Sequence, residues 1–360
     1  MPRIGFLFVA FLMSTCALAA EDNALKRSFN IAYDAFKNAL ESEDIELTIR
    51  TGLNAYNTGK RLFGSNSVNT ANLASNLATA YIDNKEFKLA NELLLPYIDV
   101  YLEEYKEDSL AIVDLYILVA KSYQRKSKNK QIKYYQKALS LLDSHKDSKP
   151  LLVAKTQADI GAELLSLGSP KSRVLIEAND YLSKHLPANE RQLVYSNYYT
   201  GNYYIATGKT DKAIAMLSKN LDVFYNLDGP THPLELTTHA VLVKAYEKIG
   251  ESDQATNHCK AIGQMTPWDD NQLPKPLYRT QPQYPQSAVR SRKDGYAIVE
   301  FVIDANGFVK DPISTEYGGS KKFQRAPIDA VENWRYAPKF ENGEPVEATS
   351  RVQLDFKIGR

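Results

Sequence analysis

Cysteine is nearly absent from this chain: there are two in 360 residues, Cys16 and Cys259. Cys16 lies in an N-terminal segment expected to be removed, which leaves Cys259 alone. One thiol makes neither an internal disulfide nor a cysteine-based zinc site. Histidine is also scarce, and His145, His185, His232, His239 and His258 include no pair at the i, i+4 spacing of a helical metal site. His258 and Cys259 are adjacent rather than facing, and Cys259 falls on an apolar repeat position. No metal or cofactor is expected. Neither sign of charge is in surplus: 44 Lys and Arg stand against 43 Asp and Glu, a net +1. Without a basic excess to track a phosphate backbone, nucleic acid is disfavoured as a partner. No block of five like charges marks a disordered tail.

Long apolar runs are missing beyond the N-terminus. There, Arg3 precedes an apolar stretch from Ile4 to Met13, and Ala17-Leu18-Ala19 fits the small-residue pattern read by signal peptidase. The run to Ala20 is at the short end of what spans a bilayer and includes Ser14, Thr15 and Cys16. Residues 1–20 are therefore expected to be a cleaved signal peptide, placing the mature protein in the periplasm. An uncleaved anchor and a lipidated Cys16 are the alternatives, although Met13-Ser14-Thr15 matches a lipobox poorly.

Catalytic signatures are lacking as well. There is no GxSxG, Walker loop or GxGxxG; Ser127-Lys128-Asn129-Lys130 matches a Ser-x-x-Lys pattern but sits in a lysine-rich turn without companion motifs. The chain is expected not to be an enzyme.

What is present is a period. Tyr81, Tyr123, Leu164, Tyr204 and Tyr246 recur every 40 to 42 residues. Three positions before each stands a small or apolar residue: Ala78, Ala120, Gly161, Gly201 and Val243. Nine residues after, Ala90, Ala213 and Ala255 recur, while Tyr135 and Ala138 fit with a one-residue shift. Small residues let paired helices approach, and stacking of units buries what one unit cannot bury alone. This pattern resembles tetratricopeptide (TPR) repeats, in the longer subclass found in kinesin light chains. Gly208 and Gly250 sit at turns within units. Leu62 to Gly64 and Asp228-Gly229-Pro230-Thr231-His232-Pro233 resemble that subclass's inter-repeat segments. A further pair, Leu25 to Leu40 and Ile45 to Leu62, is expected to cap the array, which runs from 22 to 265. Residues 266–274, from Thr266-Pro267-Trp268 to Pro274, read as a linker, so the array and the C-terminal residues are expected to fold separately.

Residues 275–360 change period. Ala297, Val299, Phe301 and Ile303 alternate along a strand, Asp304 to Gly307 is turn chemistry, and Phe308 to Ile313 reads as the return strand. Phe323, Ala326, Ala330, Val331 and Trp334 fall on one helical stripe, and Asn342-Gly343 marks another turn. The closing strand puts Val352, Leu354, Phe356 and Ile358 on one face and Arg351, Gln353, Asp355 and Lys357 on the other. The fold class is thus mainly α: a helical solenoid, then a small α+β module of order β-β-α-β. With Gln281-Pro282-Gln283-Tyr284-Pro285, the Gly295 start of the first strand, and Trp334 to Pro338 ahead of Gly343-Glu344-Pro345-Val346, the module resembles the C-terminal domain of the TonB family. Members of that family cross the periplasm and couple inner-membrane energy to outer-membrane receptors.

The resemblance implies that the module takes an extended receptor peptide as an added β-strand, with backbone hydrogen bonds for affinity and alternate side chains for selectivity. The expected edge is Ser350 to Phe356, which makes Arg351, Val352, Gln353, Leu354, Asp355 and Phe356 candidate contacts. In the family the segment matching Gln281, Pro282 and Tyr284 also touches the receptor; a structural clasp is the alternative. The expected partners are an outer-membrane TonB-dependent receptor or another TonB-system protein, and a second protein at the concave face of the repeats. Two departures from the family stand out: the N-terminal helix looks removable, and repeats replace the Pro-rich spacer. The leading expectation is a periplasmic accessory of TonB-dependent transport. The alternatives are an anchored energy transducer and an envelope scaffold or peptidoglycan binder.

Overall fold

The computed structural model describes residues 20–105, 109–123, 127–226 and 232–358. The expected signal segment, apart from Ala20, lies outside the described residues, as do Cys16 and the 228–231 part of the inter-repeat segment. The chain divides into two compact units, residues 1–181 and 182–360.

The first unit is helical: α1 (Ala20–Glu41), α2 (Ile45–Phe63), α3 (Val68–Asp83), α4 (Phe87–Leu94), α5 (Ile98–Glu104), α6 (Leu110–Ser122), α7 (Lys128–Leu142) and α8 (Pro150–Ser166). A further helix, α9 (Val174–His185), begins in it. The expected capping pair is α1 and α2. Asp44 starts α2 by accepting the Leu47 N–H at 3.0 Å, and Ser67 starts α3 by accepting from Thr70 N at 3.2 Å; such caps satisfy backbone donors that the helix itself leaves free. α4 and α5 stand where one helix would complete the repeat. Leu95–Tyr97 is a 3-10 turn between them, because Pro96 brings no N–H to the α-helical ladder.

The positions that carry the period are packed as small-residue contacts. Ala78, Ala120, Ala90 and Ala138 are all fully buried. A Cβ on Gly161 would stand 2.7 Å from Leu175 Cγ, far inside contact distance. The tyrosine and leucine positions fill the space between helices: Tyr135 and Leu164 are closed to solvent, and Tyr81 is nearly so. These antiparallel, TPR-like pairs come from the chain's own spacing.

The second unit continues with α10 (Arg191–Ala206), α11 (Thr210–Tyr225), α12 (Pro233–Ile249) and α13 (Ser252–Met265). Gly201 repeats the close contact, with its Cβ position 2.6 Å from Leu217 Cγ, and Ala213 and Ala255 are fully buried. Gly250 ends α12 in the left-handed region at φ +81°, which a residue without a Cβ adopts freely.

The terminal module contains α14 (Gln286–Arg290), β1 (Gly295–Ile303), β2 (Val309–Gly318), α15 (Arg325–Val331), β3 (Lys339–Glu341), β4 (Glu344–Val346) and β5 (Ala348–Phe356). β1 is the centre of an antiparallel sheet of order β2-β1-β5, and β3 and β4 form a separate hairpin. The β-β-α-β order therefore holds, with α14 and the small hairpin added. The return strand is longer than expected. It continues past Ile313 to Gly318, because an irregularity opposite Glu300 to Val302 absorbs Asp311 (φ +49°) and Pro312 and pairing resumes. The helical stripe is shorter: α15 ends at Val331, yet Trp334 still reaches the core at 2% exposure. Val299, Phe301, Ile303, Val331, Trp334 and Tyr336 form that core.

Within this unit α12 and α13 pack directly on the module. Val243, Ala255, Cys259 and Ile262 share an apolar cluster with Leu277, Tyr278 and Ala337. A Cβ on Gly263 would stand 2.6 Å from the Pro338 carbonyl oxygen. This differs from the expectation that residues 266–274 merely space out separately folding parts: α13 is already seated on the module when that stretch begins.

Candidate functional site

β5 is paired on one side only. Its register with β1 runs from Gly295 opposite Phe356 to Ile303 opposite Ala348, and no other described strand lies beyond it. Its outer side is therefore a row of backbone groups available to an added strand. Exposure alternates as the sequence implies. Arg351, Gln353 and Asp355 are exposed, Val352 and Leu354 are half-buried, and Phe356 is buried. The half-burial of Val352 and Leu354 follows from their position, since an edge strand covers its core-facing side chains from one side only. Gln353 Nε2 donates to Asp355 Oδ1 at 2.9 Å, holding two of the outward groups together. Ser350 is buried, and its hydroxyl has no partner among the described residues.

The Gln281 to Pro285 segment is brought to the same end of the sheet. The Tyr284 ring stands edge-on to Phe356 at 5.3 Å and to Phe323 at 5.8 Å, and its Oη donates to the Lys293 carbonyl at 2.9 Å. Tyr284 is therefore a clasp on the sheet, while Gln281 is exposed and Pro282 half-buried. Just before them, Thr280 is fixed from both sides. Its Oγ1 donates to the Ala330 carbonyl, and its own carbonyl accepts from Trp334 Nε1, both at 2.9 Å. Segment and strand edge are thus neighbours through one aromatic contact.

Sequence reasoning missed a buried polar centre where the module meets α12 and α13. Arg335 is 2% exposed and forms an ion pair with Glu247 of α12. Its Nη2 donates to Thr256 Oγ1 at 2.7 Å and to the Asn306 carbonyl at 3.1 Å, and the guanidinium lies 3.6 Å over the Phe308 ring. The planar, permanently charged guanidinium suits this combination of fork-like donation and stacking. Its backbone also bridges to Tyr278. Beside it, Gly307 (φ +81°) approaches so closely that a Cβ would lie 2.1 Å from the Tyr336 carbonyl oxygen. Asp304 sets that turn, its Oδ1 accepting from Asn306 N and Phe308 N at 2.9 Å each. Burial pushes the Cys259 thiol up to about 12, which keeps it a packing group rather than a nucleophile.

A second unforeseen contact joins His239 of α12 and His258 of α13, whose Nδ1 atoms are 2.8 Å apart. Tyr246 stacks on His258 at 5.4 Å. Burial lowers the His258 imidazole to about 4, with His239 adding to the effect, and burial lowers His239 too. Among the described residues no three His, Cys, Asp or Glu side chains gather as a metal site. Likewise, no described helix is long and apolar enough to cross a membrane.

Residues 280–358 match the family model described as Gram-negative bacterial TonB protein C-terminal. Among curated proteins, Protein TonB of Xanthomonas campestris pv. campestris, in two strains, is 29% identical over 77 residues, covering 21% of this chain and 34% of that protein. The chain thus spans about a third of the length of the curated relatives it matches. Among solved structures, the tonb2 protein of Vibrio anguillarum is 29% identical, covering 26% of this chain and 91% of that chain at a TM-score of 0.21. BtubC (BKLC) from P. vanneervenii covers 67% of this chain and 91% of its own at 17% identity and a TM-score of 0.45. Kinesin light chain TPR-like repeats from Podosopora anserina cover 69% and 97% at 14% identity and a TM-score of 0.33. The C-terminal module is of TonB type, and TPR-like helix pairs precede it.

Proposed function

We propose that this protein is a periplasmic accessory of TonB-dependent transport, in which the repeats hold one protein while the module captures an extended peptide. The observation that carries this reading is the unpaired edge of β5 in a module matched to the TonB C-terminal family. Peptide capture is by strand addition, with Arg351, Gln353 and Asp355 outward and Val352, Leu354 and Phe356 toward the core. Gln281, Pro282 and Tyr284 flank the Phe356 end. The peptide donor is an outer-membrane receptor or another protein of the same system. Residues 1–20 act as a signal peptide, 22–265 as the repeat array, 266–274 as connector and 275–360 as the binding module. The reading assigns no enzyme activity.

Site-directed cross-linking tests it. Single cysteines at Arg351, Gln353 or Asp355 are paired with cysteines along a receptor's N-terminal box. Cross-links at these positions, absent at exposed Glu332, are expected; equal cross-linking everywhere would reject strand addition. N-terminal sequencing of the native protein is expected to begin at Ala20 or Glu21.

The anchored energy transducer gains one observation in its favour. Arg335 ties the module to α12 and α13, so tension on the helices would reach the sheet. Recovery of Met1 in the inner-membrane fraction would favour that second reading.

A further inference from the structure

One carboxylate of the first unit stands without a partner. Asp114, in the second turn of α6, is half-buried, and among the described residues no side chain donates a hydrogen bond to it or forms an ion pair with it. Burial alone raises its carboxyl to about 6, so its surroundings withdraw water from the charge and return nothing. For folding, such a group is a cost that a neutral side chain of the same size avoids.

Three helices meet around it. Asp114 stands nine residues before Tyr123, as Asn72 stands nine before Tyr81, so the two hold the same position of successive repeats. Their helices, α6 and α3, pack together, and α5 touches both. From α5, Tyr101 Oη donates to Asn72 Oδ1 at 2.6 Å and lies 3.2 Å from Ser75 Oγ, so its proton is taken and does not serve Asp114. The half-buried Tyr105 ring tilts against Tyr101 at 5.5 Å. Burial pushes the Tyr101 hydroxyl up to about 12 against the Ser75 hydrogen bond, and negative charge at Tyr105 and Asp114 adds to the rise. The carboxylate therefore acts on the same tyrosine that Tyr105 packs against. Elsewhere in this unit tyrosine rings carry a lysine: Lys60 lies over Tyr56, Lys130 over Tyr123, and Lys137 over both Tyr116 and Tyr134. Among the described residues, no cation lies over Tyr101 or Tyr105, the pair that has a carboxylate beside it.

We propose that Asp114, Tyr101 and Tyr105 form a receptor for one basic side chain, Lys or Arg, of the protein that the repeats hold. The inference rests on the reading that the repeats hold a partner, and names the chemistry by which they recognise it. An incoming ammonium or guanidinium supplies the charge that Asp114 lacks, and its aliphatic stem lies along the tyrosine rings. A neutral side chain leaves the carboxylate unpaired, and an acidic one is repelled.

The test uses the full chain and a phage-displayed random-peptide library. Selections run in parallel on the unaltered chain, on Asp114→Asn and, as a control at an exposed carboxylate of α5, on Asp99→Asn. The unaltered chain and the control are expected to enrich Lys or Arg at one fixed position, and Asp114→Asn to lose that preference. A selected peptide, made synthetically, is expected to bind Asp114→Asn about tenfold more weakly. Replacing its basic residue by Gln should cost the same factor on the unaltered chain and little more on Asp114→Asn, as expected for two groups that pair. Because the carboxylate supports nothing in the free protein, Asp114→Asn is expected to melt no lower than the unaltered chain. A variant that fails to fold, or melts lower with its peptide preference intact, would make Asp114 a structural group and overturn the proposal. The same preferences in all three selections would overturn it while leaving the repeats to hold a partner by other contacts. Recovery of no peptide by the unaltered chain would remove the receptor and the repeat-binding reading together.

Discussion

Arg335 and Glu247 form a buried ion pair that joins the β-module to the helix pair before it. Removing one member of such a pair leaves the other charge buried and uncompensated, at a cost of about 3–5 kcal/mol. Glu247→Ala and Arg335→Ala are each expected to lose stability of that order. The double variant should lose less than the sum, by about 1 kcal/mol or more. Chemical denaturation of the four proteins measures this, and strictly additive losses would mean the two side chains do not act as a pair.

Gly263 is expected to be intolerant of even a methyl group. Its Cβ position is 2.6 Å from the Pro338 carbonyl and 2.8 Å from the Phe340 ring, so Gly263→Ala must push α13 off the module. A loss of about 1–3 kcal/mol is expected, together with faster proteolysis between Thr266 and Lys275. A fully stable, protease-resistant variant would show that α13 is not seated as described.

Acid should weaken the α12–α13 pair. Both His239 and His258 have folded values below the ordinary 6.5, His258 at about 4. The unfolded chain therefore binds more protons than the folded one between those values, and stability falls as pH falls. The contribution is complete above about pH 6.5 and is lost on descending toward pH 4. For partly exposed rings it is about 1–2 kcal/mol. His258→Phe, which keeps a ring against Tyr246, is expected to flatten the profile of melting temperature in that window; an unchanged slope would acquit the pair.

Much of the fold was legible because its signals are local and periodic. Gly161 and Gly201 stand where helices touch, so their spacing reports the repeat, and Val299, Phe301 and Ile303 alternate because one sheet face is buried. The β3–β4 hairpin was not legible as strands: three residues on each side, with Pro345 among them, carry no period. The added length of β2 was not legible: the expected return strand stopped at Ile313, and nothing after it announces that pairing resumes beyond the irregularity at Asp311 and Pro312. Arg335 and Glu247 are 88 residues apart, and nothing around either announces the other. His239 and His258 met for the same reason, on facing helices. Of the candidate contacts, the alternation of β5 was readable, while the role of Tyr284 as a clasp depended on Phe323 and Phe356 meeting around it.

Charge on β5 should matter less than its backbone. Arg351→Glu with Lys357→Glu reverses outward charge and leaves the core-facing residues in place, so binding of receptor peptide is expected to change by less than about tenfold. Gln353→Pro removes an N–H from the strand and is expected to abolish binding, with circular dichroism separating lost binding from lost folding. A folded Gln353→Pro protein with full affinity would place the peptide elsewhere.

Hydrogen exchange read by mass spectrometry on the full chain, with and without receptor-box peptide, tests strand addition most directly, because it follows backbone amides rather than side chains. Slower exchange is expected in Ala348–Phe356 on adding peptide, with smaller slowing around Gln281 to Tyr284 and none in α1 or α2. Peptide that binds while leaving exchange in Ala348–Phe356 unchanged would contradict capture at the open edge.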